Sequence, residues 1–322
     1  MRDVMKYRSI YANHESRATS HGSRITSHVL CSLLLAAFAL SGCSNETIQM
    51  DVSGKGAVIC EMRSGEVLFE KNPDRKFPPA STAKVMTAII AVENVPLDEE
   101  IVPTEEAVDV EPTVAGLTAG VKYSLESLVE ALLIKSGNDA ARVIAHHIAG
   151  DEAAFSNLMN AKALELGMEN TYFANASGLP TGRKDSQFIT AKDLCILMRY
   201  AARNETLLRV LSVKEKDIKG DDEKSISLKT HNRSLFMRDD APWGKTGYTR
   251  EARRTFAGVD PSLEPRIVFA LLKSNNLWED ILALNDQGIA AYEFNHRSLF
   301  KRIAGWMTGL VARDSGPVKS EQ

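Results

Sequence analysis

Ser81-Thr82-Ala83-Lys84 sets a hydroxyl and an amine three residues apart, and on a helix that spacing puts both side chains on one face, within reach of each other. A serine hydroxyl is a poor nucleophile until a neighbour takes its proton. A lysine can take it only where burial or another cation lowers its pKa. At a helix N-terminus the Ser81 N–H is also free to donate to an oxyanion. The pattern alone is weak, because Ser298-Leu299-Phe300-Lys301 repeats it.

Two further motifs supply the missing parts. Ser136-Gly137-Asn138 offers a hydroxyl that can relay a proton to a leaving amine. It also offers an amide able to hold Lys84 on its acceptor side and a substrate carbonyl on its donor side. Ser274-Asn275-Asn276 fits the same pattern, so order matters. Lys245-Thr246-Gly247 is the rarest of the three, with about 0.06 copies expected from composition. Its glycine lets an extended peptide lie against a strand. Its lysine supplies charge for a substrate carboxylate and depresses the pKa of Lys84, and the Tyr248 N–H completes an oxyanion hole. Lys135-Ser136-Gly137 resembles the third motif but falls in the wrong place in the order.

The elements that must carry these motifs are readable. GAVICEM (56–62), a turn at Arg63-Ser64-Gly65-Glu66 and VLFEK form a hairpin. Pro78-Pro79-Ala80 stops the preceding segment, and Ser81–Val92 has helical periodicity with Val85, Ala88, Ile89 and Val92 on one side. Helices follow at 125–135, 139–149 and 152–166, the last with Phe155, Leu158, Met159 and Ala163 on its apolar side, and another at 190–202. Strands at 226–228, 255–259 and 267–272 precede a helix at 279–292. Strands thus come from both ends of the chain and enclose an all-helical insert. That predicts an α+β fold with one antiparallel sheet.

The first 43 residues differ in character. Arg2, Lys6, Arg8, Arg17 and Arg24 lead into the apolar run Val29–Leu40, which is too short to span a bilayer and reads as an export signal. Leu40-Ser41-Gly42-Cys43 resembles a bacterial lipobox, so residues 1–42 are expected to be removed and Cys43 to carry acyl chains. Several chains on one residue are enough to hold a protein at a membrane. Residues 43–54 then form a polar tether. Of the other cysteines, Cys60 and Cys195 read as buried thiols, with one disulfide open to them outside the cytoplasm.

The chain has 322 residues and a formal charge of −3. No basic stripe points to nucleic acid, no histidine spacing points to a metal, and no cofactor motif is present.

Taken in order, the three motifs with PPASTAKVMTA, KSGNDAA, AFSNLMNAKALELGMENTYFANASGLP, ITAKDL and KTGYT resemble the penicillin-binding proteins of the serine D-alanyl-D-alanine carboxypeptidase family. The resemblance covers roughly residues 55–292 and implies a β-lactamase/transpeptidase-like catalytic domain there. It implies an exported enzyme whose serine is acylated by peptidoglycan stem peptides ending in D-Ala-D-Ala, and by β-lactams. On the matching positions, Ser81 is the nucleophile, Lys84 its base, and Ser136 and Asn138 the proton relay. Lys245, Thr246, Gly247 and Tyr248 bind substrate, with Arg233 of His231-Asn232-Arg233 meeting the terminal carboxylate. Asn175–Leu179 resembles the loop that flanks the family's cleft.

Two departures stand out. Glu251-Ala252-Arg253-Arg254 follows KTGYT where the family has a small Ala-Gly pair. Residues 293–322 are too few for the β-rich domain of many relatives, and form instead an amphipathic helix bearing Phe294, Leu299, Phe300, Ile303, Trp306, Met307 and Leu310 on one side. That stripe suits either the catalytic domain or an anionic membrane surface. A D,D-endopeptidase acting on cross-links uses the same machinery. A β-lactamase would need a deacylating glutamate, and no E-x-x-L-N is found. A silent binder would usually have lost Ser81 or Lys84.

Overall fold

The computed structural model describes residues 51–182, 187–262 and 266–314, with side chains described as far as residue 296. The export signal, Cys43 and most of the tether lie outside the described residues. In chain order the strands are β1 (Gly56–Glu61), β2 (Val67–Lys71), β3 (Glu100–Ile101), β4 (Tyr123–Ser124), β5 (Glu215–Lys219), β6 (Ser225–Lys229), β7 (Trp243–Thr249), β8 (Arg253–Val259) and β9 (Ile267–Ser274). The helices are α1 (Lys84–Asn94), α2 (Glu105–Val108), α3 (Leu125–Leu133), α4 (Asn138–Ala149), α5 (Glu152–Glu165), α6 (Ala191–Ala201), α7 (Glu205–Ser212) and α8 (Leu277–Asp314).

The main sheet has the order β2-β1-β9-β8-β7 and is antiparallel throughout. Both chain ends therefore contribute to it, and the helices between them pack on one face. Alternation along the strands sorts the two faces. Val58, Cys60, Ala257, Val259, Val268 and Ala270 enter the core shared with the helical insert. Ala57, Ile59, Phe256, Phe269 and Leu271 enter a second core with Leu277, Ile281 and Leu284 of α8. Strand β7 is left as an edge, the place where an extended peptide can add its own backbone hydrogen bonds.

Helix α1 is not one-sided as its periodicity suggests. Every residue from Lys84 to Ala91 is buried, because α3, α4, α5 and α6 pack around it. In α5, Phe155, Met159 and Ala163 are buried, but Leu158 is 42% exposed. The strand around Ile226–Leu228 lies outside the main sheet and forms a separate hairpin with β5. The helices expected at 279–292 and in the tail are a single helix, α8. No proline interrupts it, and Ala290, Ala291 and Glu293 favour a helix across the join. Cys60 on β1 and Cys195 on α6 face each other as buried thiols, with their Sγ atoms 2.7 Å apart. Burial raises the Cys195 thiol well above the usual range.

Candidate active site

Pro78-Pro79 delivers the chain to Ala80, which has φ +49°. A single 3₁₀ turn, Ala80–Ala83, then leads into α1. Thr82 Oγ1 and Thr255 Oγ1 both donate to the Pro79 carbonyl, tying this turn to β8. The turn leaves Ser81 half-buried at the cleft and puts Lys84 beneath it, fully buried. Lys84 Nζ lies 3.1 Å from Ser81 Oγ, 2.7 Å from Asn138 Oδ1 and 2.8 Å from the Ser177 carbonyl oxygen.

A neutral amine has two N–H groups and one lone pair. With Asn138 and Ser177 taking the N–H groups, the lone pair faces the Ser81 hydroxyl. Burial first, and the Lys245 charge second, hold the Lys84 pKa well below its ordinary value, against a smaller opposing pull from Asp139. The geometry and the protonation state therefore favour the same thing, a base aimed at Ser81.

The second motif occupies the break between α3 and α4. Ser136 sits at φ +64°, an uncommon conformation for a residue with a side chain. It is held there by the Gly137 N–H donating to Ala131 O and the Asn138 N–H donating to Thr113 O. Its hydroxyl accepts from Lys245 Nζ at 2.9 Å. Asn138 uses its acceptor for Lys84, as its chemistry suggests, but one of its N–H groups goes to Glu111 O at 2.7 Å. Only its remaining N–H is open to a substrate carbonyl. Asp139 accepts from the backbone N–H groups of Ala115, Gly116 and Leu117, which fastens the neighbouring loop against the start of α4.

On the other wall, β7 carries Lys245, Thr246, Gly247 and Tyr248. Lys245 is buried and also donates to Thr246 O at 2.7 Å; burial lowers its pKa to about 7. A Cβ on Gly247 would stand 2.8 Å from the Ser81 nitrogen and 2.5 Å from Thr255 Oγ1. Glycine there lets β7 pass directly beside Ser81 and brings the Ser81 N–H close to the strand. Tyr248 is exposed at the cleft rim.

Arg233 lines the same cleft from a short turn, Arg233–Phe236. Buried Asn232 holds that turn by donating to Pro242 O and accepting from Ser234 Oγ. Neighbouring His231 is pushed down to about 4 by partial burial and by Lys245, Lys135, Lys84 and Arg233, so it is neutral near pH 7. The cleft encloses about 630 Å³. Among the described residues, no group of three or more His, Cys, Asp or Glu side chains converges to hold a metal.

A family model for the D-alanyl-D-alanine carboxypeptidases, Peptidase S11, matches residues 43–273. The chain belongs to this family. A D-alanyl-D-alanine carboxypeptidase of Mycobacterium tuberculosis is 30% identical to it over 239 residues, 72% of this chain and 81% of that one. A D-alanyl-D-alanine endopeptidase of Escherichia coli is 30% identical over 223 residues, 67% and 70% of the two chains. Among solved structures, a D-alanyl-D-alanine carboxypeptidase from Mycobacterium tuberculosis superposes with a TM-score of 0.71 at 29% identity, covering 76% of this chain and 94% of that one.

In this D-alanyl-D-alanine carboxypeptidase family member, the residues named from the three motifs all meet at one cleft. The loop Asn175–Leu179, read from the sequence as flanking the cleft, supports them, but the part its backbone plays escapes sequence reasoning. The Ser177 carbonyl is a backbone acceptor, and no side-chain pattern marks it. Asn175 accepts from Ser177 N, Ser177 Oγ and Gly178 N while donating to Leu179 O, so it shapes the loop that presents that carbonyl. Asp139 had a signal, an acidic residue in the first turn of α4. That position reads equally well as a helix-dipole partner.

Proposed function

We infer that the protein removes the terminal D-alanine from peptidoglycan stem pentapeptides through an acyl-enzyme on Ser81. The observation that carries this reading is the arrangement of Lys84, whose Nζ faces Ser81 Oγ while Asn138 and Ser177 hold it. Lys84 takes the Ser81 proton as Oγ attacks the carbonyl carbon between the two D-alanines. The Ser81 and Tyr248 N–H groups receive the oxyanion. Ser136 Oγ hands its proton to the departing amine as the C–N bond breaks, and the proton taken by Lys84 replaces it. Lys245, Thr246 and Arg233 receive the terminal carboxylate. Water then adds to the ester, yields a proton to Lys84, and Ser81 recovers its own. β-Lactams acylate the same oxygen.

A second reading, D,D-endopeptidase activity on cross-links, is favoured by the 30% identity to endopeptidases of Escherichia coli and Pseudomonas aeruginosa. D-Alanine release from a stem pentapeptide, measured beside cleavage of a cross-linked dimer, separates the two. Release from the pentapeptide alone supports the carboxypeptidase, dimer cleavage supports the endopeptidase, and neither overturns both.

The family acts on cell-wall peptidoglycan, which places the enzyme outside the cytoplasm. Among the described residues no helix is long and apolar enough to cross a membrane. The lipobox-like Leu40–Cys43 supports an anchor of another kind, for a lipoprotein facing the periplasm: residues 1–42 as its signal, acylated Cys43 with a tether to residue 54, a catalytic domain over 55–292, and 293–322 as a short amphipathic helix and tail. Cys43→Ala is expected to move the protein from the membrane fraction to the soluble fraction. Retention at the membrane would assign anchoring to the tail.

A further inference from the structure

We propose that Arg254 sets substrate choice by binding a free carboxylate on the residue that precedes D-Ala-D-Ala in the stem peptide. The inference rests on the Ser81 peptidase reading and concerns the acyl side of the same cleft.

Strand direction fixes which part of a substrate Arg254 meets. Strand β7 runs from Trp243 to Thr249 and passes Ser81 at Gly247. Lys245 and Thr246, which receive the terminal carboxylate, come before that point. An extended substrate on this edge therefore leads its leaving group back toward Lys245 and its acyl portion forward past Tyr248. Arg254 is paired with Tyr248 in the β7–β8 register, and directly opposed residues in an antiparallel pair share a face. Arg254 thus stands level with the stretch of β7 that carries the acyl portion, on the face opposite to the one Gly247 turns toward Ser81, and it lines the cleft at the strand edge.

The side chain is available there. Arg254 is exposed, lines the cleft, and has no side-chain hydrogen bond or ion pair among the described residues. Other arginines differ: Arg209 pairs with Glu126, and Arg238 with Asp240 and Asp286. A planar guanidinium presenting parallel N–H groups is suited to a carboxylate.

Its surroundings select the chemistry further. Lys135, Lys229 and Arg233 also line the cleft, and no aspartate or glutamate does so among the described residues. Leu277 and Trp278, at the start of α8, add apolar surface to the lining of the same cleft. That combination suits an aliphatic side chain ending in a group that bears a carboxylate. A stem whose diamino residue is a simple lysine would bring a lone ammonium beside Lys135, Arg233 and Arg254 in a lining without carboxylates; Lys229 is already paired with Glu215. A stem with a dicarboxylic diamino acid brings the complementary charge.

The test compares kcat/KM for D-alanine release from two stem pentapeptides, identical except that one carries a dicarboxylic diamino acid where the other carries lysine. Benzylpenicillin acylation of Ser81 is followed alongside. The intact enzyme is expected to favour the carboxylate-bearing stem by about 10–100-fold, the range of a charge-assisted hydrogen bond. Arg254→Gln should bring that ratio close to one, Arg254→Lys should keep part of it, and Arg254→Glu should reverse it. Amidating the side-chain carboxylate should reproduce Arg254→Gln in the unmodified enzyme. An intact enzyme without preference overturns the proposal. So does Arg254→Gln lowering both peptides and penicillin acylation by the same factor, which would place its action on the terminal carboxylate or on folding. Failure of the peptidase reading has a different signature, the absence of both D-alanine release and penicillin acylation in the intact enzyme.

Discussion

Replacing Ser81 with alanine is expected to abolish covalent labelling by β-lactams and to lower D-alanine release by on the order of 10⁶-fold, the scale of losing an activated nucleophile. Lys84→Ala keeps the hydroxyl and loses the base, so the expected drop is about 10²–10⁴-fold. Lys84→Arg does not restore the rate, because a guanidinium stays charged and planar where an amine lone pair must face Ser81 Oγ. The pH profile carries the same logic. Lys84 must be neutral to act, so kcat/KM rises with pH through its titration, which burial and Lys245 hold well below the ordinary lysine value. Lys245 must be charged to attract a carboxylate, so kcat/KM falls again as pH rises through about 7 in the free enzyme. A bound carboxylate stabilises the Lys245 charge, which moves the alkaline limb of kcat above that of kcat/KM. Lys245→Ala should move the acid limb to higher pH, since it removes one of the two influences that depress Lys84. Survival of labelling in Ser81→Ala, or a flat profile across these limbs, would displace Ser81 or Lys84 from these roles.

How much of this was legible in the sequence depends on whether side chains or backbone carry the information. Ser81, Lys84, Ser136, Asn138 and Lys245 carry side chains of distinctive type, and their order along the chain pointed to one cleft before any geometry was known. The helices at 125–135, 139–149 and 190–202 were readable because their apolar periodicity is backed by local signals. Ser124 and Thr190, for instance, accept from the backbone N–H groups three residues on. Strand β6 was placed in the wrong sheet for a physical reason: Ile226 and Leu228 alternate in the same way whichever partner they have, and register is a tertiary property. Helix α7 was missed although Asn204 caps it and Leu207, Leu208, Val210 and Leu211 are buried; its eight residues are too few for periodicity to stand out. The left-handed turns at Ala80 and Ser136 left no trace, since neither residue type advertises a positive φ.

Gly178 shows how tightly backbone alone can define the site. It has φ +79°, and a Cβ there would lie 1.9 Å from Ala80 O, 2.7 Å from Ala80 C and 3.0 Å from Ala83 Cβ. Ala80 immediately precedes Ser81, and Ser177, one residue before Gly178, gives Lys84 its carbonyl acceptor. A methyl group at 178 must therefore part the loop from the turn and draw the Ser177 carbonyl away from Lys84 Nζ. Gly178→Ala is expected to cost about 2–5 kcal/mol, combining the left-handed backbone penalty with overpacking, and to lower Tm by about 5–15 °C. β-Lactam acylation should slow by about 10²-fold, as for a misplacement of about 1 Å at a reacting centre. Gly182→Ala provides the comparison, because Gly182 has φ +77° with nothing within 4 Å of the added carbon. It should incur only the backbone penalty, about 1–2 kcal/mol, and acylate at nearly the parental rate. Equal effects of the two substitutions on Tm and acylation would mean that the close approach of Gly178 to Ala80 does not hold Lys84 in place. A larger loss at 178 in both measurements would show that the spacing between two backbone segments sets the position of the base.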